Sequence, residues 1–206
     1  MPSSAERLLA ELGRHVADRR VLEAMAAVPR ERFVGPQQAD QAYENVALPI
    51  GSGQTISQPL VVARMLELLE LRTDDRVLDV GTGSGYHAAL LARLVDHVWS
   101  VERHAELAAR AGETLRALGV ENVTVLVGDG GDGLAGEAPF DAINVAAATV
   151  SPPRALEAQL APGGRLVYPA GRSEQHLVLT RRTSCGLRSE VHEPVRFVPL
   201  VRGRPG

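Results

Sequence analysis

Apolar positions recur along this chain with two different periods. Leu8, Leu9, Leu12 and Val16, then Val21, Leu22, Met25 and Val28, fall at the three- and four-residue spacing of amphipathic helices, and Pro29 stops the second. A third helical stripe, Val61, Val62, Met65, Leu66, Leu68 and Leu69, follows Pro59, a residue suited to a first helical turn, with Gln58 or Ser57 near its cap. Beyond Asp75 the pattern changes to short β-branched and aliphatic runs. Residues 77–80, 97–101, 123–127 and 140–146 read as strands, Arg154 to Leu160 as a short helix, and Arg165 to Tyr168 as a strand entered through Pro162-Gly163-Gly164. His176 to Arg181 and Val195 to Leu200 read as two final strands around a turn at Gly186. Strands that alternate with helices and then follow one another directly describe a doubly wound α/β sheet closed by a hairpin.

Between the first of these strands and the helix beginning near Tyr86 lies Gly81-Thr82-Gly83-Ser84-Gly85, whose alternate glycines let the backbone turn sharply. A glycine loop that opens a helix brings side-chain-free backbone and a helix N-terminus to a ligand, most often a dinucleotide or an adenosyl cofactor. Asp79, two residues before Gly81, decides between them. A carboxylate at the carboxyl end of that strand repels a pyrophosphate and attracts a sulfonium with its ammonium group; where water is partly excluded the two differ by several kcal/mol. The expected cofactor is therefore S-adenosyl-L-methionine.

Two more acids support it. Glu102 ends the second strand about twenty residues past the first glycine, the spacing at which an acid accepts both ribose hydroxyls. Asp129, in the Gly128-Asp129-Gly130 turn after the third strand, is placed to meet the adenine amino group. A polar, glycine-punctuated segment, Ile50-Gly51-Ser52-Gly53-Gln54-Thr55-Ile56-Ser57-Gln58-Pro59, reads as a loop with a role other than core packing. On composition alone Ser57 reads as a helix N-cap.

A chain of 206 residues suits one domain, with residues 1–50 a helical extension, 51–150 a cofactor-binding core, and 151–206 the final strands and a substrate cleft. The net charge of −3 and the lack of an arginine-rich helical face give little support to nucleic-acid binding. All 22 basic residues are arginine, which carries no mechanistic weight. Cys185 is the only cysteine, so no internal disulfide and no cysteine-based zinc site is expected. The histidines show no ligand spacing, and no metal is expected. With no apolar run behind Met1-Pro2-Ser3-Ser4 or of membrane length elsewhere, a soluble, cytoplasmic monomer is expected.

Several stretches together carry a family resemblance: Val28-Pro29-Arg30-Glu31-Arg32-Phe33-Val34, Ala42-Tyr43, the 50–59 segment, 77–86, Gly128-Asp129-Gly130, 159–167 and Phe197-Val198-Pro199-Leu200. The chain resembles protein-L-isoaspartate O-methyltransferase from about residue 20 to residue 200. The glycine loop is common to many methyltransferases, whereas Gln54-Thr55-Ile56-Ser57 is close to diagnostic. The resemblance implies the Rossmann-like seven-strand sheet of the class I S-adenosylmethionine-dependent methyltransferases. It also implies methyl transfer to the free carboxylate of L-isoaspartyl residues in damaged proteins or peptides, with S-adenosyl-L-homocysteine as product. It overturns the N-cap reading: Ser57 matches the family's active-site serine, as a catalytic and substrate-binding residue. Gln54, Thr55, Ile56 and Ser57 are expected at the cofactor with Asp79, Gly81, Gly83, Ser84, Gly85, Glu102, Asp129 and Gly130, and Val198 in the peptide cleft. Two features depart from the family pattern: Gly130-Gly131-Asp132-Gly133-Leu134 lacks the usual aromatic residue, and Val62 stands where some members carry histidine.

Related enzymes with the same core act on one dedicated peptide, commonly with extra C-terminal sequence; here the chain ends soon after Leu200, which favours the repair enzyme. Alternatives are an O-methyltransferase of a dedicated peptide or a small-molecule carboxylate, and a non-catalytic binder that keeps the cofactor pocket.

Overall fold

A computed structural model describes residues 2–203. Two N-terminal helices, α1 (Ser4–Leu12) and α2 (Arg19–Ala27), lead through 3₁₀ turns at Arg30–Phe33 and Pro36–Gln41 to a hairpin of β1 (Leu48–Gly51) and β2 (Gln54–Ile56). Helix α3 (Pro59–Leu68) follows, then β3 (Arg76–Val80), α4 (Tyr86–Leu91), β4 (His97–Glu102), α5 (Ala105–Ala117), β5 (Val123–Val127) and β6 (Phe140–Val145). The chain closes with α6 (Arg154–Ala158), β7 (Leu160–Ala170), β8 (Gln175–Thr183) and β9 (Gly186–Val195). Among the described residues no helix is long and apolar enough to cross a membrane.

Seven strands form one sheet in the order β5-β4-β3-β6-β7-β8-β9, parallel from β5 to β7 and antiparallel across β8 and β9. The two faces follow from the two-residue period of a strand. Val77, Ala142, Val167 and Leu179 face a large core with helices α1 to α5, while Leu78, Ile143, Leu166 and Val178 face a thinner layer in which α6 supplies Leu156. From β3 the chain runs outward through β4 and β5, then returns to lay β6 on the other side of β3. The carboxyl ends of β3 and β6 are therefore the switch point where ligands of open α/β sheets bind.

Three local expectations need correction. The 50–56 segment is not an irregular loop but the β1–β2 hairpin, with Leu48 opposite Ile56 and a turn through Gly51, Ser52 and Gly53, all at positive φ. Leu160 belongs to β7, not to the preceding helix, and Pro162-Gly163-Gly164 lies within that strand where its register with β6 shifts. The last strand is β9, not 195–200: Gly186 pairs with Thr183 across the turn, so pairing begins there. Residues 187–192 are mostly polar and exposed, as an edge strand allows, and their pattern hides the strand. The 195–200 segment is thereby freed to run toward the switch point.

Candidate active site

The switch-point pocket has two walls. One is the glycine loop. Gly81, Gly83 and Gly85 all have positive φ, and a Cβ on Gly83 would come within 3.3 Å of Ile50 Cδ1, so the bare backbone lets the loop pack closely on the β1–β2 hairpin. Beneath the loop, Ser100 Oγ donates to Asp79 Oδ2 at 2.7 Å and lies 2.6 Å from Thr82 Oγ1, while Asn144 Nδ2 donates to Asp79 Oδ1 at 2.8 Å. Asp79, Ser100 and Asn144 are wholly buried. Burial pushes the Asp79 carboxyl up to about 6, against the pull of the Asn144 and Ser100 donors and with a further push from Glu102.

Glu102, at the end of β4, faces the pocket and accepts from the Gly83 amide at 2.8 Å and from the His104 amide at 2.9 Å. An ionised carboxylate offers about four acceptor positions, so two remain for a ligand's hydroxyls. The floor is kept open at Gly130, where a Cβ would meet Val80 Cγ1 at 2.5 Å.

The second wall is the segment from Gln54 to Ser57 that leads from β2 into α3. Ser57 is not the helix cap: Gln58 is, without a side-chain cap bond. The Leu60 amide in the first turn is instead satisfied by Asn45 Oδ1 at 3.0 Å, which leaves the serine hydroxyl out of the capping task. The pocket is completed by Ala146 and Ala147 beyond β6 and by Val198. Val198 is fixed by its backbone, its carbonyl accepting from the Ala148 amide at 2.8 Å while the Leu200 amide donates to the Ala148 carbonyl at 2.7 Å.

The family model described as protein-L-isoaspartate(D-aspartate) O-methyltransferase matches residues 3–205. The chain belongs to that family. A protein-L-isoaspartate O-methyltransferase from Vibrio campbellii is 50% identical over 200 residues, covering 97% of this chain and 96% of the relative. One from Yersinia enterocolitica is 53% identical over 188 residues, covering 91% and 90%. A solved protein-L-isoaspartate O-methyltransferase superposes with a TM-score of 0.86 at 29% identity, covering 98% of this chain and 67% of the other. A β-aspartate methyltransferase from Plasmodium falciparum, solved with S-adenosyl-L-homocysteine, also gives 0.86, at 25% identity over 98% of this chain and 100% of the other.

As an isoaspartate methyltransferase the chain brings most of the expected residues to one place: the 54–57 segment, Gly81, Gly83, Ser84, Glu102, Gly130 and Val198 all line the pocket. Three do not. Asp79 lies below the loop with both oxygens engaged, so its charge reaches a ligand only through the wall, and the direct contact expected of it is corrected. Asp129 caps the short turn after β5, accepting from the Gly131 amide at 2.8 Å and the Gly203 amide at 2.6 Å, and does not line the pocket. Gly85 shapes the loop from behind, where a Cβ would come within 3.2 Å of Ala111 Cβ.

The sequence reading missed Thr82, His87 and Ala146. Ala146 depends on β6 lying beside β3, which no local signal encodes. His87 was findable as the second residue of the helix that the loop opens. Its Nε2 is buried without a partner, and burial, with the nearby Arg30 charge, pushes the imidazole down to about 4.

Proposed function

We propose that this site transfers the methyl group of S-adenosyl-L-methionine to the free carboxylate of L-isoaspartyl residues in damaged proteins or peptides, releasing S-adenosyl-L-homocysteine. The observation that carries the reading is the placement of Ser57, on the same pocket as the glycine loop and relieved of capping by Asn45. The pocket residues fit an adenosyl donor: positive-φ glycines admit it closely and Glu102 keeps acceptor positions for a ribose. Once bound, that cofactor supplies an electrophilic methyl group on a sulfonium.

The residues of the chain have to orient and desolvate. A carboxylate acceptor with a pKa near about 4 is already ionised at neutral pH, so no general base is required. This suits a pocket whose buried histidine, His87, is neutral at pH 7 because burial holds it down to about 4. The Ser57 hydroxyl donates one hydrogen bond to the acceptor carboxylate, fixing its direction without neutralising it. Alignment and exclusion of water from a hydrated anion then provide the rate. Val198, on the backbone-anchored 195–200 segment, lines the cleft for the peptide. The extra methylene in an isoaspartyl backbone moves the carboxylate relative to the main chain, and a cleft that holds main chain discriminates on that displacement.

The test is a pair of peptides differing only in isoaspartyl or aspartyl linkage, incubated with labelled cofactor. Methyl ester is expected on the first and none on the second; equal labelling of both removes the assignment.

A further inference from the structure

Arg30 is the largest fully buried side chain of the molecule among those described, and it belongs to neither wall of the pocket. Its Nε donates to the Ala42 carbonyl at 2.9 Å. One Nη donates to the Ser57 carbonyl at 2.8 Å and reaches the Val46 carbonyl at 3.5 Å. The other Nη is buried without a partner. The guanidinium carbon lies 4.9 Å from the centre of the Tyr86 ring, and Tyr86 is the first residue of α4, directly after the glycine loop. Among the described residues no carboxylate pairs with it within ion-pair distance; the neighbouring Glu31 accepts from Tyr43 instead.

A buried cation surrounded by carbonyls and an aromatic face is a poor choice for stability, because desolvation is not offset by an opposite charge. What the planar fork supplies is geometry: several donors at fixed angles that a flexible ammonium cannot reproduce. Here those donors join the 42–46 segment to the backbone of Ser57, while the guanidinium carbon lies over the ring of Tyr86, the residue directly after the glycine loop.

We infer that Arg30 is the positioning residue for Ser57, setting the distance between the serine wall and the glycine wall through the Ser57 carbonyl and the Tyr86 ring. The inference rests on the role given to Ser57 above. It assigns Arg30 no contact with substrate or cofactor. Since a misplacement of about 1 Å costs up to about a hundredfold in rate, losing the fork lowers turnover far more than cofactor affinity, which the glycine loop and Glu102 share with the 54–57 segment.

The experiment is a double-mutant cycle with Arg30→Lys, Arg30→Gln, Ser57→Ala and the combined variants. It is read by kcat/KM on an isoaspartyl peptide, by calorimetric affinity for S-adenosyl-L-homocysteine, and by thermal melting to choose an assay temperature below every transition. Arg30→Lys is expected to lower kcat/KM by roughly tenfold or more in the wild-type background, and by less than about threefold once Ser57 is alanine, with S-adenosyl-L-homocysteine affinity of each Arg30 variant within about threefold of its own background. Arg30→Gln behaves the same way, because a retained charge does not replace the fork. Equal losses in both backgrounds overturn the inference and leave Ser57 in its role. A Ser57→Ala enzyme with full activity removes the role of Ser57 itself, and the inference with it. If neither Arg30 variant folds, Arg30 is a stability residue and the inference fails.

Discussion

Beneath the glycine wall, Asp79, Ser100 and Asn144 on adjacent parallel strands, with Thr82 of the loop, lock together through short side-chain hydrogen bonds, whereas the serine wall is tied to Arg30 in a 3₁₀ turn and to Asn45, both of which precede it in the chain. The first wall is supported from the sheet and has several ties. The second is supported from outside the sheet, by the β1–β2 pairing and these two side chains. Sheet ends tied in several directions keep the glycine loop in place when one tie is lost, while a wall held by one short hairpin and two side chains answers more readily to a single lost contact.

The largest expected effect separates the walls by ligand. Glu102→Ala removes the acceptor for ribose hydroxyls and releases the Gly83 amide it holds. Two charge-assisted bonds to a ligand are worth about 3 kcal/mol or more together, so S-adenosyl-L-homocysteine affinity should fall by roughly a hundredfold or more. Calorimetry checks this, and a loss below about fivefold would show that the acid serves the loop and not the ligand.

A smaller effect concerns charge. Asp79, below the glycine wall, has its folded pKa raised from 3.8 to about 6, so between these values the folded protein carries the extra proton and stability falls as pH rises. His87, near Arg30, has its folded pKa lowered from 6.5 to about 4; there the unfolded chain carries the extra proton, and stability rises with pH. Each contributes about 3 kcal/mol across its window, in opposite senses, on the scale of 1.36 kcal/mol per unit. Relative to wild type, Asp79→Asn should make stability climb more steeply from pH 4 to 6, and His87→Gln should make it fall. Urea midpoints at four pH values test both, and curves parallel to wild type for both variants would sink the assignment.

The same contrast explains what could be read before the fold was known. The glycine wall is local: Gly81 to Gly85 and Glu102 carry their geometry in short-range spacing, and the strands from β3 to β8 followed from runs such as 77–80 and 123–127, whereas β9 did not. Asp79 was found as a residue but not in its setting. Its partners Ser100 and Asn144 come from β4 and β6, and only the strand order places them beside β3. Ser57 read as a helix cap because cap chemistry is also local; the atom that relieves it belongs to Asn45, and the cation that holds it belongs to Arg30, and neither relation has a sequence period. Asp129 has a local use as well: an acid in a glycine turn caps it, here through the Gly131 amide, and that bond competes with a ligand.

The smallest effect tests the redundancy claimed for the glycine wall. Ser100→Ala deletes the hydroxyl between Asp79 Oδ2 and Thr82 Oγ1, leaving a buried carboxylate oxygen and a buried hydroxyl one partner short, for a loss of about 1–2 kcal/mol in stability. Asn144 still donates to the other Asp79 oxygen, the Gly81 amide still donates to the Val101 carbonyl at 2.9 Å, and Glu102 still holds Gly83. Melting should therefore register the change, while kcat/KM on an isoaspartyl peptide and S-adenosyl-L-homocysteine affinity stay within about threefold of wild type. If Ser100→Ala instead lowers turnover as far as Ser57→Ala does, the ties under the glycine loop are not redundant, and the two walls are equally sensitive to a single lost contact.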